Sequence, residues 1–381
     1  MIRTARFWLP AIALFLVLFS PALPGAETEI TPLVVTYADV GHGDCIWIKT
    51  PDDGIKGNGT CEGYNIIIDG GPSSQRIQDI MLDLGLRWGS EIEWMINTHA
   101  HNDHYRGLMG MLEMYRVKRV LDPGYQSSSS YFGAFCWIAL VEPHSTFYFP
   151  AVGIPAVPGT KSLGQAVPLE LDWGEELDVE ILYSNPAVSD STVNDSSLVI
   201  RMEYGDVSFL FTGDLEGKTR PDSYGYHDPD HAIGAERYLL DTYVGEDENR
   251  LRSTILKIPH HGSETSSTNP YIAAVAPKEG IIMAGNRHGL PDASLIKRYE
   301  SHGVRIWRTD RLDKGKSGSE CHGDDHIQVT TDGNGYDIRY LKPDPVEVRE
   351  QARAKREAAR REAALAAAPP VPPGDGEGEE D

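Results

Sequence analysis

The sequence is poor in cysteine: four residues among 381, with no Cys-x-x-Cys pair. That spacing argues against a zinc site built on paired thiolates. Cys45, Cys61, Cys136 and Cys321 allow at most two disulfides in three possible pairings, and nothing in their spacing selects one. Positive charge is scarce as well, with 35 Lys and Arg against 57 Asp and Glu and a net charge of −22. The deficit belongs to the body of the chain, because residues 27–345 carry −21 of their own. Such a field repels long polyanions unless a basic patch or bound metal ions offset it. Past the N-terminus there is no apolar run long enough to span a membrane, and no internal repeat.

The N-terminus reads MIRTARFWLPAIALFLVLFSPALPGAETEI, with Arg3 and Arg6 ahead of an apolar run that breaks at Pro21 and Pro24. The run is shorter than the roughly 20 residues of a membrane span. It reads as a signal peptide over residues 1–26, cleaved after Ala22 or Ala26. The expectation is export to the periplasm or beyond, with no stable membrane association after cleavage. Residues 27–343 read as one domain, and 344–381 as a charged Ala-rich helix followed by a disordered acidic tail. Nothing in the sequence specifies an oligomeric state.

Within the domain, LVVTYADV (33–40), CIWIKT (45–50), YNIIIDGG (64–71) and EIEWMINT (91–98) read as strands, and QRIQDIMLDLGLR (75–87) as an amphipathic helix. A second series follows: VPLELDW, LDVEILYS, SSLVIRMEY, VSFLFTGD and TILKIPHHGS, between residues 167 and 263. Strand-rich halves with intervening helices point to an α/β sandwich rather than to alternating βαβ units. Residues 122–165, rich in Gly, Ser, Pro and aromatics, read as a long loop or lid, and 216–250 as a loop followed by a helix.

The chemistry concentrates in THAHNDHYRGL, residues 98–108. On extended backbone His99 and His101 share a face, and the chain then turns to bring Asp103 and His104 to the start of a helix. Neutral imidazoles and carboxylates are ligands that zinc, manganese and iron accept. The alternative is a histidine-rich surface loop, but the cluster sits between a buried strand and a helix.

This H-x-H-x-D-H pattern resembles the metallo-β-lactamase fold superfamily. Other motifs follow in order: DVGHGDC (39–45), IIIDGG (66–71), NDSSLVI (194–200), FLFTGDLE (209–216), LKIPHHGS (256–263) and AGNRHGLP (284–291) with WRTD (307–310). Together they resemble the metallo-hydrolase domain of bacterial competence proteins, which import DNA, and of related exported phosphodiesterases. The resemblance covers roughly residues 33–335. It implies a four-layer αββα sandwich of the α/β class holding two divalent metal ions, zinc or alternatively manganese. His99, His101 and Asp214 would hold the first ion, with Asn194 or water completing the shell. Asp103, His104, Asp214 and one of His261, His260 or His288 would hold the second. Asp44 and Asp69 would buttress these ligands. Asp103 would orient the attacking water, and His260, if not a ligand, would protonate the leaving group.

Two departures bear on function. Lactonases and many lactamases of the superfamily carry a histidine where this chain reads SNPAVSDSTVNDSSLVI, which has none. GLP (289–291) stands where the subfamily often has Gly-His-Pro; His288 is two residues away, and His144 is a further option. The favoured expectation is a phosphodiesterase acting on nucleic acid or a small phosphoester. The alternatives are a lactonase or β-lactamase-type hydrolase and a non-catalytic binding module.

Overall fold

The central strands, such as Asn65–Ile68 (NIII), Trp94–Ile96 (WMI) and Val207–Phe211 (VSFLF), are buried on both faces, and the two faces serve different cores. The computed structural model describes residues 30–150, 165–167, 171–217, 228–285, 287–314, 316 and 321–343. The signal peptide and the C-terminal tail read from the sequence lie outside these residues. In chain order, β1 (Leu33–Tyr37), β2 (Ile46–Lys49) and β3 (Asn65–Ile68) are followed by α1 (Ser74–Asp83), β4 (Glu91–Ile92) and β5 (Trp94–Ile96). Then come α2 (Asn102–Met114), β6 (Arg116–Val117), β7 (Arg119–Leu121), α3 (Ser130–Val141), β8 (Thr146–Pro150) and β9 (Gln165–Val167). The second half holds β10 (Asp178–Tyr183), β11 (Val199–Tyr204), β12 (Val207–Phe211), α4 (Gly234–Tyr243) and β13 (Ile255–Lys257). It closes with α5 (Asn269–Val275), β14 (Glu279–Ile282), α6 (Ala293–Ser301), β15 (Arg305–Arg308), β16 (Ile327–Thr331) and β17 (Tyr336–Tyr340).

Among the described residues β4 and β6 pair apart as a two-stranded sheet; of the two large sheets, one runs β17-β16-β1-β2-β3-β5-β7-β8-β9 and the other β10-β11-β12-β13-β14-β15. Side-chain alternation explains how they stack. Ile66 and Ile68 of β3 meet Phe209 and Phe211 of β12 between the sheets, while Ile67 faces outward onto Leu108 and Met111 of α2. Leu210 of β12 and Leu256 of β13 face away on the other side, onto Tyr271 of α5 and Leu295 of α6. Each such buried side chain stabilises the fold by roughly 1.5–3 kcal/mol. The layers are therefore helices, sheet, sheet, helices, the αββα sandwich expected from the sequence. Among the described residues no helix is long and apolar enough to cross a membrane.

Two expectations need correcting. Alternating βαβ units are present: β3, β5, β7 and β8 pair in parallel in one sheet, and β12, β13, β14 and β15 in the other, with helices between them. Of the crossover helices α5 has only seven residues, too few turns for its periodicity to stand out among the strands. Residues 122–165 are also not one long loop, because they contain α3 and β8. The serine run that suggested a loop supplies the helix cap: Ser129 accepts a hydrogen bond from the Phe132 amide. Cys45, Cys61 and Cys136 are free thiols, so the possible disulfides are not formed.

One close approach positions the site. A Cβ on Gly107 of α2 would lie 1.7 Å from the Gly70 carbonyl oxygen, so only glycine lets the helix reach the loop after β3. There the Gly70 amide donates to the His104 carbonyl (2.8 Å) and the Gly107 amide to the Gly71 carbonyl (2.9 Å). The first turn of α2 is thereby locked over Asp69.

Candidate metal centre

Five loops, each following the C-terminal end of a strand, converge here. They carry His42 and Asp44 after β1, Asp69 after β3, His99 to His104 after β5, Asp214 after β12, and His260 and His261 after β13. Asp69, His260 and His261 all hold positive φ, at 58°, 50° and 51°. Such backbone is unfavourable for side-chain-bearing residues and persists where the surrounding structure imposes it.

Three imidazole nitrogens close on one carboxylate oxygen. From Oδ2 of Asp214, Nε2 lies at 3.2 Å in His261, 3.3 Å in His104 and 3.8 Å in His99. The opposite ring nitrogens are already used. Nδ1 of His104 donates to Asp69 Oδ2 (2.8 Å), and Nδ1 of His261 to the Met283 carbonyl (2.7 Å). In the neutral rings that a metal requires, these bonds keep the proton on Nδ1 and turn the Nε2 lone pairs to the centre. Nε2 of His104, Nε2 of His261, Oδ1 of Asp214 and Oδ1 of Asp44 are buried with no hydrogen-bond partner. Unsatisfied buried atoms cost free energy, and here all are metal-ligand types pointing at common space. The donor set fits a divalent cation: ligand atoms of His99, His104 and Asp214 lie within 4.8 Å of one another, as do those of His42, Asp103 and His261.

Electrostatics support the same reading. Burial opposes charge on His104, but Asp214 and Asp69 outweigh it and hold the ring well above the ordinary histidine range. Burial likewise opposes charge on His261, and the surrounding carboxylates of Asp214, Asp103 and Asp44 overcome it. His99 is driven the other way by burial and by His104. Asp214, although buried, is held far below the carboxylate range by His261 and His104. In the protein without metal, protons on two imidazoles offset the carboxylates; a cation would replace them.

The residues predicted from the sequence are placed as follows. His99, His104 and Asp214 form one group of converging ligand atoms. Asp103 and His261 form another, joined by His42. His101 borders the first, with Nδ1 3.0 Å from Nε2 of His99. His260 stands to one side, Nδ1 3.0 Å from Glu216 Oε1 and 2.9 Å from Thr265 Oγ1. Asn194, expected as a possible ligand, turns its Nδ2 to Glu216 (3.0 Å) and toward Nε2 of His260 (3.3 Å). His288 packs against His42 with ring centroids 5.2 Å apart and belongs to neither group. His144 is exposed at the turn between α3 and β8.

Sequence reading missed three participants. His42 lies 4.4 Å, ring to ring, from His261; its signal was the histidine inside DVGHGDC. Lys257 is wholly buried in β13, donating to the Gly213 carbonyl (2.8 Å) and pairing with Asp44 and, at 3.5 Å, with Asp214. A charged residue in an otherwise apolar strand was its signal. Glu216, the partner of His260, was visible only as the residue two after Asp214.

The model of the metallo-beta-lactamase superfamily matches residues 61–285, more than half of the chain. With the fold and this centre it places the chain in that superfamily, to which it belongs. Among curated proteins, ComE operon protein 3 of Bacillus subtilis is 25% identical over 319 residues, covering 78% of this chain and 34% of that protein. Competence protein ComA of Neisseria gonorrhoeae is 31% identical over 119 residues, 31% of this chain and 14% of that protein. The chain thus spans about a third or less of the length of these relatives. Among solved structures, the metallo-beta-lactamase fold protein YhfI from Bacillus subtilis covers 72% of this chain and 96% of its own at 9% identity and a TM-score of 0.37.

Proposed function

We propose that this chain is an exported metal-dependent phosphodiesterase. The observation that carries the metal-dependent part is the convergence of unpartnered Nε2 atoms of His104 and His261 with Asp214. When bound, divalent ions in such a site lower the pKa of water and stabilise charge on a phosphoryl oxygen. His99, His104, His261 and Asp214 would hold the first-row metal, zinc or manganese, with His101 and His42 at its edges. Asp69 and the Met283 carbonyl keep the imidazoles turned inward. Asp103, held ionised by His261 and His104 against its burial, accepts a proton-bearing partner at the mouth and so orients the attacking water.

His260 supplies proton transfer. Glu216 accepts the proton of its Nδ1, and Nε2, at the edge of the cleft, accepts from Asn194 Nδ2 (3.3 Å). With Glu216 stabilising the imidazolium, a proton taken up at Nε2 in place of the Asn194 contact can be passed to a departing alkoxide oxygen. The phosphodiester reading is preferred to a lactone or lactam because the segment before β11 lacks the histidine that lactonases carry. The resemblance to competence proteins supports the same branch. Export rests on the N-terminal Arg3, Arg6 and apolar run.

The test is a substrate panel on metal-loaded protein: bis(4-nitrophenyl) phosphate, a short single-stranded oligonucleotide, a lactone and nitrocefin. Phosphodiester turnover should exceed the others. Rapid lactone or nitrocefin hydrolysis without phosphodiester cleavage contradicts the assignment. Periplasmic or extracellular protein with a mature N-terminus near residues 23–27 checks export.

A further inference from the structure

Beyond His101 the cleft continues into a second hollow of about 500 Å3. Its charged lining, among the described residues, is the carboxylates of Asp190, Asp195 and Glu216, with no lysine or arginine. Asn194 lies between them and is only 7% exposed. Its amide nitrogen is committed to Glu216, yet its Oδ1 has no hydrogen-bond partner. Oδ1 of Asp195 is likewise buried and unpartnered. Its carboxylate stands beside Gly234, where an added Cβ would be in van der Waals contact with both oxygens, 3.9 Å away.

Asp190 already accepts from the Tyr125 and Ser128 hydroxyls, and Glu216 from Asn194 and Thr265, which leaves Oδ1 of Asn194 and Oδ1 of Asp195 as acceptors without a donor. With the negative charge around them they are complementary to a group that brings N–H donors and positive charge. The apolar part of the wall is Val193 and Ile233, aliphatic side chains without an aromatic face. Quaternary ammonium groups are usually held on aromatic faces; a primary ammonium, with three donors, suits this wall better. A second phosphate of a polynucleotide would meet the same carboxylates and be repelled.

We propose that this hollow binds a primary ammonium carried by the substrate, making the substrate class phosphodiesters with an aminoalkyl arm. The inference rests on the phosphodiesterase reading for the reaction, but the hollow can be tested apart from it. One experiment compares kcat/KM for 2-aminoethyl 4-nitrophenyl phosphate and its uncharged ethyl counterpart, in wild type and Asp195→Asn. Wild type should favour the amino ester by about tenfold or more, with the preference shrinking as salt rises. Asp195→Asn should lose most of the preference while turning over the ethyl ester unchanged. Equal kcat/KM for the two esters in wild type overturns the proposal. Calorimetric binding of O-phosphoethanolamine against ethyl phosphate supplies the second measurement. If neither ester is cleaved but O-phosphoethanolamine binds selectively and Asp195→Asn abolishes that selectivity, the subsite stands and the phosphodiesterase reading fails. No selectivity overturns the subsite. Calcium or magnesium bound there and lost in Asp195→Asn, without ammonium selectivity, assigns the hollow to a cation and also overturns it.

Discussion

Nδ1 of His104 donates to Oδ2 of Asp69 at 2.8 Å, and that bond decides which nitrogen of the ring faces Asp214. Asp69 is itself held by the Thr98 amide (2.8 Å) and hydroxyl (2.7 Å), so the imidazole is oriented from the strand end beneath it. Removing an outer partner of this type lowers metal affinity by about 10- to 100-fold. Asp69→Asn is therefore expected to weaken zinc binding by that order while leaving a folded protein. Competition with a chromophoric chelator measures it, and unchanged affinity would show that Asp69 does not set the tautomer.

Metal binding should release protons. The folded-state pKa values of His104 and His261 are raised above the ordinary histidine value, so both rings are protonated near neutral pH in the metal-free protein. Coordination needs them neutral. The expected result is release of up to about two protons at pH 7 and affinity that strengthens as pH rises. Calorimetry in buffers of different ionisation enthalpy counts the protons; buffer-independent heats would contradict the assignment.

Lys257 is the internal cation of the site. Wholly buried between Asp44 and Asp214, it offsets carboxylates whether or not metal is present. Losing one partner of a buried ion pair costs about 3–5 kcal/mol. Lys257→Met should destabilise the metal-free protein by that order, and added zinc should restore part of the loss. Denaturant titrations with and without metal test this. Wild-type stability in both states would leave Lys257 without a role.

Asp39 gives a pH signature away from the metal. It accepts hydrogen bonds from the amides of Gly41 (3.0 Å), Asp324 (3.1 Å) and Asp325 (3.3 Å), but burial outweighs them and raises its pKa from 3.8 to about 7. A carboxyl with a raised folded-state pKa binds more protons folded than unfolded, so its stabilisation is complete below the unfolded value and lost as pH rises through the folded one. Relative to Asp39→Asn, wild type should lose stability between about pH 4 and pH 7. A stability difference independent of pH contradicts the shift.

Sequence spacing disclosed the centre of the site more fully than its surroundings. HAHNDH is a local motif, and its strand-to-helix setting brings its four candidate ligands to one end of one element. Asp214 and His261 were legible because each closes an apolar strand. The division between His260 and His261 was not, since two adjacent residues in left-handed backbone point apart and only the fold shows that His260 faces Glu216. His288 is near in sequence to Gly289-Leu290-Pro291, but its ring meets His42 edge-on at the wall of the cleft and is not among the converging ligand atoms. The sandwich followed from the strand pattern. The parallel crossovers did not, because helices as short as α5 carry too few turns for a clear period, and serines that cap α3 read as loop.

The most direct test of the central claim is a metal titration with a phosphodiester reporter. Protein stripped by a chelator should contain no metal and leave bis(4-nitrophenyl) phosphate intact. Zinc or manganese returned in steps should restore turnover in parallel with occupancy, reaching a plateau at one or two ions per chain, and Asp214→Ala should neither bind nor respond. Full activity after complete removal of metal, or an Asp214→Ala protein that binds metal and turns over like wild type, would contradict the account.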